Sequence, residues 1–294
     1  MKSWHKYLVY FSLFFLGIAL YKANYLRIPG ISSWSALLAS FLFLFAGFVM
    51  SALSWYKILA RSEYPVDFRT CLAGTGLSIF GKYIPGKIWI IMGRAAYIAE
   101  KIDHIPLGRL SAISLNAQFI GLWVGLILGA FGLSVLGGFY IWVWPIIILW
   151  VLLTFIIFSH VVHQVTEGIL RRVLKKELRL PHLNFPSTLL VMPWFLLHWG
   201  IWSSGFYLFV TGLSSTFVPW SSGLGFPLAS AVGIMALITP AGLGTREAAV
   251  VGYLTLCGIP VAEGTTIAVA SRLWFLFGEV FVFCAGWALD RMDK

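Results

Sequence analysis

Charged residues are scarce in this sequence, and no stretch has the composition of a separate soluble domain. Only 11% of the 294 residues are charged, while 60% are hydrophobic. A soluble domain has about 25% charged residues. Long, predominantly apolar runs recur along the chain, and about 20 such residues cross a bilayer as a helix. This composition excludes an ordinary soluble enzyme or binding module and predicts an all-α polytopic membrane protein.

Cysteines and acidic residues are also few. The three cysteines, Cys71, Cys257 and Cys284, lie in or beside apolar segments, and this odd number predicts neither a disulfide framework nor a metal site. No cofactor is expected. The 21 basic residues exceed the 11 acidic ones, for a net charge of +10. Since the chain has no basic soluble module, the excess indicates cytoplasmic loops that follow the positive-inside rule, and no nucleic-acid partner.

Recognisable catalytic arrangements are missing as well. The sequence has no HExxH motif, no paired aspartates in its apolar segments, and no serine and histidine at a familiar spacing. It therefore supplies no evident nucleophile, and a non-enzymatic membrane function is favoured. An intramembrane transferase that acts on a lipid phosphate stays open as an alternative, because the same polar groups would hold its substrate.

Six apolar segments have the length of membrane-spanning helices. They cover residues 7–24, 34–60, 108–135, 139–160, 188–212 and 263–288. The first segment also resembles a signal peptide, but the multispanning remainder favours an uncleaved helix. Two more apolar regions, 70–100 and 223–258, are interrupted by the helix breakers of GKYIPGK and TPAGLGTRE.

The basic residues predict how the chain is oriented. They are concentrated near both termini and in an amphipathic segment at 161–186, and the positive-inside rule places all three groups on the cytoplasmic side of the plasma or inner membrane. Region 70–100 must then begin and end inside, and region 223–258 must begin and end outside. Each region fits a re-entrant helical hairpin. One kinked full span in each region is the alternative.

Proline spacing indicates an internal repeat. Pro85 and Pro240 are 155 residues apart, and Pro106 and Pro260, each preceded by Ile, are 154 apart. With the predicted orientation, the two copies have opposite topology, a plan that recurs in transporters. Coincidence among 12 prolines is the alternative. A single membrane domain, 1–294, then divides into a first helix and loop at 1–33, repeat 1 at 34–135, a linker helix and basic loop at 136–187, repeat 2 at 188–288, and a cytoplasmic tail at 289–294.

The two interrupted regions have the chemistry of an anion site. Pro85 suits the first position of a new helix, and Thr245 is predicted to cap a helix that starts at Arg246. Free N–H groups and the dipole at such helix starts attract anions. Formal positive charge lies at the same places, on Lys82, Lys87 and Arg246.

Buried basic residues need partners, because one at the bilayer centre costs about 2.5–3.5 kcal/mol. Glu247 and Glu279 are the acidic candidates. Arg272 and Glu279 are seven residues apart on one predicted helix face, which favours a direct pair. Two structural interpretations stay open: Arg246 and Glu247 form a locking pair, or the two lysines extend to the cytoplasmic interface.

At these motifs the sequence resembles the lysylphosphatidylglycerol synthase transmembrane region, also called the flippase-like domain. GKYIPGKIW, followed by Gly93-Arg94, is similar to the family's G-[KR]-x-x-P-G-[KR] element, and TPAGLGTREA is similar to its P-x-G-x-G-x-R-E element. Arg272 matches an arginine of the last helix. The resemblance covers about 34–288 and implies movement of anionic or aminoacylated phospholipids, or of lipid-linked precursors, between leaflets. Synthase activity is not expected, since the 294 residues contain no aminoacyl-transfer domain.

Together these observations predict translocation of an anionic lipid by alternating access, with no metal and no cofactor. The expected partners are the lipid, the membrane and either a biosynthetic enzyme or a second copy of the chain. A non-transporting membrane partner of a cell-envelope biosynthetic complex is a further alternative. The expected substrate-binding residues are Lys82, Tyr83, Pro85, Gly86, Lys87, Arg94, Pro240, Gly242, Gly244, Thr245, Arg246, Glu247, Arg272 and Glu279.

Overall fold

The computed structural model describes most of the chain and is helical throughout the part it describes. That part comprises residues 30–62, 64, 66–84, 88–102, 105–137, 143–159, 185–236 and 242–292. Across these ranges there are nine α-helices, two short 3-10 helices and no strand. The predicted helix at 7–24 and nearly all of the amphipathic segment at 161–186 lie outside the described residues.

The helices follow the predicted order of long and interrupted segments. In chain order they are α1 (Trp34–Arg61), α2 (Phe68–Ser78), α3 (Ile88–Lys101), α4 (Leu107–Val135), α5 (Val143–Phe158), α6 (Phe185–Leu213), α7 (Gly225–Met235), α8 (Thr245–Leu256) and α9 (Val261–Met292). The 3-10 helices are Ile79–Tyr83, which continues α2, and Trp220–Leu224, which leads into α7.

Three helices, α1, α4 and α9, are long and apolar enough to cross a membrane. Helix α5 is apolar but shorter. The predicted all-helical membrane architecture is confirmed at this level. Both interrupted regions also contain two short helices instead of one long helix, as the Pro and Gly positions predict.

One end of the bundle is rich in basic side chains. The Arg109 guanidinium lies 5.4 Å from the Tyr64 ring, and Lys101 pairs with Asp290 at 3.6 Å. These contacts bring together the ends of α1, α3 and α9 and the start of α4. We call this the basic end, and its cations are Arg61, Arg69, Lys101, Arg109 and Arg291.

The opposite end is held by different contacts. The backbone N–H groups of Ser32 and Ser33 donate to the Gly212 carbonyl at 2.8 and 3.1 Å, which joins the start of α1 to the end of α6. Glu263, near the start of α9, accepts a bond from the Ser215 N–H at 2.9 Å. The described residues at this end include no Lys or Arg.

These contacts give each helix a direction. Helices α1 and α9 run toward the basic end, whereas α4 and α6 run away from it. The pair α2 and α3 starts and finishes at the basic end. The pair α7 and α8 starts and finishes at the opposite end, where the Tyr253 hydroxyl of α8 donates to the Ser221 carbonyl at 3.0 Å. The order long, short, short, long therefore occurs twice, with reversed direction.

We call α1–α4 the first series and α6–α9 the second series, and the packing between them is reciprocal. The two first long helices, α1 and α6, pack along each other, α2 packs against α9, and its counterpart α7 packs against α4. Helices α2 and α9 cross at Gly76 and Gly286, where a Cβ on Gly76 would lie 2.2 Å from the Val282 carbonyl oxygen. Small residues allow this close backbone approach.

An aromatic core fills the space between α1, α6, α7 and α9. Its members are Phe48, Trp202, Phe206, Phe226, Trp274 and Phe275. The indole N–H of Trp202 donates to the Leu44 carbonyl at 3.2 Å, and that of Trp274 donates to Ser40 Oγ at 3.1 Å. Satisfied indoles can be buried without an unpaired polar group. Two members of this core, Phe226 and Phe275, contact the charged site described below.

The α2–α9 crossing generates a prediction about Gly76. Gly76→Ala is expected to lower the free energy of unfolding by about 1–3 kcal/mol, because the new Cβ collides with a backbone carbonyl and the helices must separate. Gly200→Ala is the matched control, since a Cβ there has nothing within 4 Å. Thermal unfolding in detergent measures both. Equal melting temperatures for the two variants would contradict the close crossing.

Candidate anion-binding site

Helix α9 carries two opposite charges on either side of its middle. Arg272 and Glu279 are seven residues apart in a helix that runs from Val261 to Met292, so they are separated by about 10 Å along its axis. Both interrupted regions reach this part of α9. Each contributes side chains that pair with one of the two charges.

The first interrupted region binds Glu279. The 3-10 helix that continues α2 ends with Lys82 and Tyr83. Lys82 Nζ forms an ion pair with Glu279 Oε1, and the Tyr83 hydroxyl donates to Glu279 Oε2 at 2.8 Å. The carboxylate is only 1% exposed, and two donors, one of them charged, compensate its burial.

The second interrupted region turns through two glycines with positive φ. Gly242 has φ +69° and Gly244 has φ +80°, conformations that glycine adopts without steric cost. A Cβ on Gly242 would also lie 2.7 Å from the Gly233 Cα. The glycines of TPAGLGTRE thus allow the chain to fold tightly against α7 before α8 begins.

Glu247 caps the start of α8, and the prediction that Thr245 caps it is wrong. The helix begins at Thr245 with Gly244 as its N-cap residue. Glu247 Oε2 accepts a bond from the Gly244 N–H at 2.8 Å, which is the glutamate half of a capping box. Thr245 lies inside the first turn, one residue past the N-cap position, and its hydroxyl donates to the Gly242 carbonyl at 3.1 Å.

Arg272 joins the second interrupted region to α9. Its Nε donates to Glu247 Oε1, and its Nη2 donates to the Gly242 carbonyl at 2.9 Å. The prediction that Arg272 pairs directly with Glu279 is therefore wrong. The alternative prediction, an ion pair between Arg246 and Glu247, is also wrong. Partners from other elements come closer than a neighbour two turns away on the same helix.

Arg246 is the cation of this cluster without a carboxylate partner. Its side chain is 7% exposed, and its guanidinium lies 5.0 Å from the centres of the Phe226 and Phe275 rings. Its Nε and Nη2 have no hydrogen-bond partner among the residues described. The two ion pairs neutralise Lys82 and Arg272, so the positive charge of Arg246 remains uncompensated and favours an anion.

Nine of the predicted site residues come together around α9. They are Lys82, Tyr83, Gly242, Gly244, Thr245, Arg246, Glu247, Arg272 and Glu279. Arg94 lies elsewhere, between α1 and α4. Four others, Pro85, Gly86, Lys87 and Pro240, lie outside the described residues.

The sequence prediction missed the two phenylalanines that face Arg246. Phe275 lies three residues after Arg272 and four before Glu279, so the same helical spacing places it on their side of α9. Phe226 has no comparable signal, because it comes from α7 and reaches the guanidinium only through tertiary packing. Over the described ranges, no group of three or more His, Cys, Asp or Glu could hold a metal ion.

Long apolar helices and charges clustered between them define an integral membrane protein of the all-helical class. The family described as the lysylphosphatidylglycerol synthase TM region matches residues 7–286, and the chain belongs to this family. The predicted membership of this family is confirmed, and the family indicates a membrane protein of lipid-related function. No curated protein and no solved structure matches the chain.

The ion pair of Lys82 with Glu279 generates a stability prediction. Glu279→Gln keeps an acceptor for Tyr83 but leaves Lys82 unpaired, and breaking such a buried pair costs about 3–5 kcal/mol. The lower end is expected because the Lys82 side chain is 22% exposed. The double variant Lys82→Met/Glu279→Gln should recover most of the loss, as measured by thermal unfolding in detergent.

Lys101→Met is the matched control for this prediction. Lys101 Nζ is 3.6 Å from Asp290 Oδ1, and Asp290 keeps the Tyr97 hydroxyl as a donor when the lysine is lost, so this variant should lose less stability than Glu279→Gln. A double variant as unstable as Glu279→Gln would contradict the claim that the unpaired lysine causes the loss.

Proposed function

We propose that the protein translocates an anionic lipid between the two leaflets of a membrane. The observation that carries this proposal is Arg246, a buried guanidinium without a carboxylate partner beside the start of α8. An oxyanion such as a lipid phosphate matches it in charge and in hydrogen-bonding chemistry. The candidates are a phospholipid or a polyprenyl-phosphate-linked precursor.

The architecture we propose has six spans and two re-entrant hairpins that enter from opposite sides. The pair α2 and α3 would enter from the basic end, and the pair α7 and α8 from the other end. Supporting observations are the reversed directions of the two series and the reciprocal packing of α2 with α9 and α7 with α4. Irregular backbone at membrane depth is tolerated where it is buried in protein or lines a cavity.

In this arrangement the lipid phosphate binds where the two interrupted regions meet α9. Arg246 contacts the headgroup, and the first N–H groups of α8 add partial positive charge. Lys87, which the sequence places in the first motif, would contribute from the other interrupted region. The acyl chains stay in the surrounding lipid, so only the polar headgroup needs a protein path.

In alternating access, the interrupted regions would move relative to α9, and the two ion pairs are the contacts that would break and re-form. Lys82 with Glu279 links the first interrupted region to α9, and Arg272 with Glu247 links the second. A phosphate bound at Arg246 would compete with Glu279 for Lys82 and with Glu247 for Arg272. Binding would therefore weaken one link and favour movement of that region relative to α9, which is the differential interaction that a population shift requires.

The proposed topology predicts which positions reagents reach from each side. In a variant whose native cysteines are replaced by serine, Ser62→Cys and Leu107→Cys should label from the cytoplasmic side. Phe217→Cys and Val261→Cys should label only from the opposite side; Phe217 and Val261 are 89% and 59% exposed. Impermeant maleimide on oriented membrane vesicles measures this. Labelling of all four from one side would contradict it.

The proposed function predicts that Arg246 is required for lipid exchange. Liposomes containing the protein should exchange fluorescent phosphatidylglycerol or a polyprenyl phosphate faster than empty liposomes, and Arg246→Gln should slow this at least about tenfold because a charge-assisted hydrogen bond is lost. Dithionite quenching measures the exchange. Arg246→Lys keeps the charge and is expected to retain part of the rate.

Arg291→Gln is the control for a general loss of positive charge. Arg291 lies at the basic end with its guanidinium 4.0 Å from the Trp287 ring, away from the site. The Arg291→Gln protein should exchange lipid at the wild-type rate. Equal exchange by the wild type and a folded Arg246→Gln protein would refute the assignment, and a chemically altered lipid product would replace translocation with transferase activity.

A further inference from the structure

We propose that Arg94, Trp55 and Ser114 form a second oxyanion site, separate from Arg246 and closer to the basic end. Its place on a lipid path rests on the proposed function, but the site itself is argued from geometry alone. The three residues come from α3, α1 and α4, so the site forms only when these helices pack together.

Arg94 connects the three helices. Its Nη2 donates to the Ser114 carbonyl oxygen, and its guanidinium carbon lies 4.8 Å from the centre of the Trp55 ring. The cation–π contact and the backbone bond fix the plane of the guanidinium. Its remaining N–H groups are therefore held at a defined position between α1 and α4.

Three buried polar atoms at this position lack hydrogen-bond partners. They are Trp55 Nε1, Arg94 Nε and Ser114 Oγ, and the Trp55 and Ser114 side chains are 1% and 0% exposed. Indole and guanidinium N–H groups only donate, so the missing partner is an acceptor. The indole N–H groups of Trp199, Trp202 and Trp274 each have an acceptor, whereas that of Trp150, like that of Trp55, has none.

The charge at the site indicates that this acceptor is an anion. A guanidinium stays protonated in proteins, and no carboxylate lies within ion-pair distance of Arg94 in the described ranges. The Arg94 side chain is half-buried, but its Nε is buried without an acceptor, and burying an unpaired donor of a cation is disfavoured unless a counter-charge compensates it. An oxygen of a phosphate or phosphodiester supplies both the charge and the lone pairs.

The three side chains lie at the same depth. Trp55 is six residues before the end of α1, Arg94 is seven before the end of α3, and Ser114 is seven after the start of α4. Each position is about 10 Å from the basic end.

The site at Arg246 lies deeper in the bundle. The Tyr97 hydroxyl donates to Asp290 Oδ1 at 2.9 Å, which aligns α3 with the end of α9. Glu279 comes eleven residues before Asp290 in α9, so it lies about 16 Å further from the basic end. Arg94 lies only one turn further from that end than Tyr97. Arg94 therefore lies between the basic end and the Arg246 cluster. A headgroup that enters from the basic end meets Arg94 first.

Counting bound anions tests the proposal. The purified full chain in a neutral detergent is titrated with inorganic phosphate and with dihexanoyl phosphatidylglycerol, and native mass spectrometry gives the stoichiometry. We expect two sites per wild-type chain, one in Arg94→Gln, one in Arg246→Gln and none in the double variant. Binding of phosphate supports a free-anion site, and binding of the lipid alone supports a headgroup site.

A matched tryptophan pair tests the role of the indole. In the Arg246→Gln background, Trp55→Phe keeps an aromatic ring under Arg94 but removes the donor, and should weaken the remaining site about tenfold. Trp150→Phe removes another buried, unpartnered indole N–H, one that stacks on Trp123. It should leave the affinity unchanged.

The outcomes separate this proposal from the proposed function. Two sites in a protein that exchanges no lipid would support the Arg94 site and contradict translocation. Equal stoichiometry in folded Arg94→Gln and wild-type protein would overturn the Arg94 site, with water as the missing acceptor, and leave Arg246 unaffected. An equal effect of Trp55→Phe and Trp150→Phe would also overturn it.

Discussion

A charge between membrane helices needs a partner, because no bulk water is present to solvate it. Helix α9 meets this requirement for both interrupted regions. Its Glu279 pairs with Lys82 of the first region, and its Arg272 pairs with Glu247 of the second. The same side chains make further contacts, since Glu279 accepts from the Tyr83 hydroxyl, Glu247 caps α8 and Arg272 donates to the Gly242 carbonyl. A single helix thus determines where the ends of both series meet.

Two arginines are left uncompensated by this pairing, and they differ from the structural charges in one respect. Arg246 and Arg94 have buried N–H groups without acceptors, whereas Lys82 and Arg272 have carboxylate partners. Both arginines also lie over aromatic rings, as Lys82 does. Aromatic faces stabilise a guanidinium without using its donors. Those donors therefore remain available for an anion.

The repeated order of helices gives this arrangement its two-sided character. One short pair begins and ends at the basic end and the other at the opposite end, while α2 and α7 pack on the last long helix of the other series. Small residues such as Gly76 and Gly286 allow the backbones of α2 and α9 to approach closely.

Composition and periodicity by themselves determined the membrane class, the long helices and the two interruptions, because these depend on local hydropathy and on Pro and Gly backbone preferences. The motifs also predicted nine of the residues that the structure brings together around α9. The pairings were decided only by the tertiary structure. Arg272 and Glu279 share a helix face, yet each binds a residue from another element, and Thr245 gives way to Glu247 as the cap of α8. Contacts between distant segments depend on how helices pack, which local sequence does not encode.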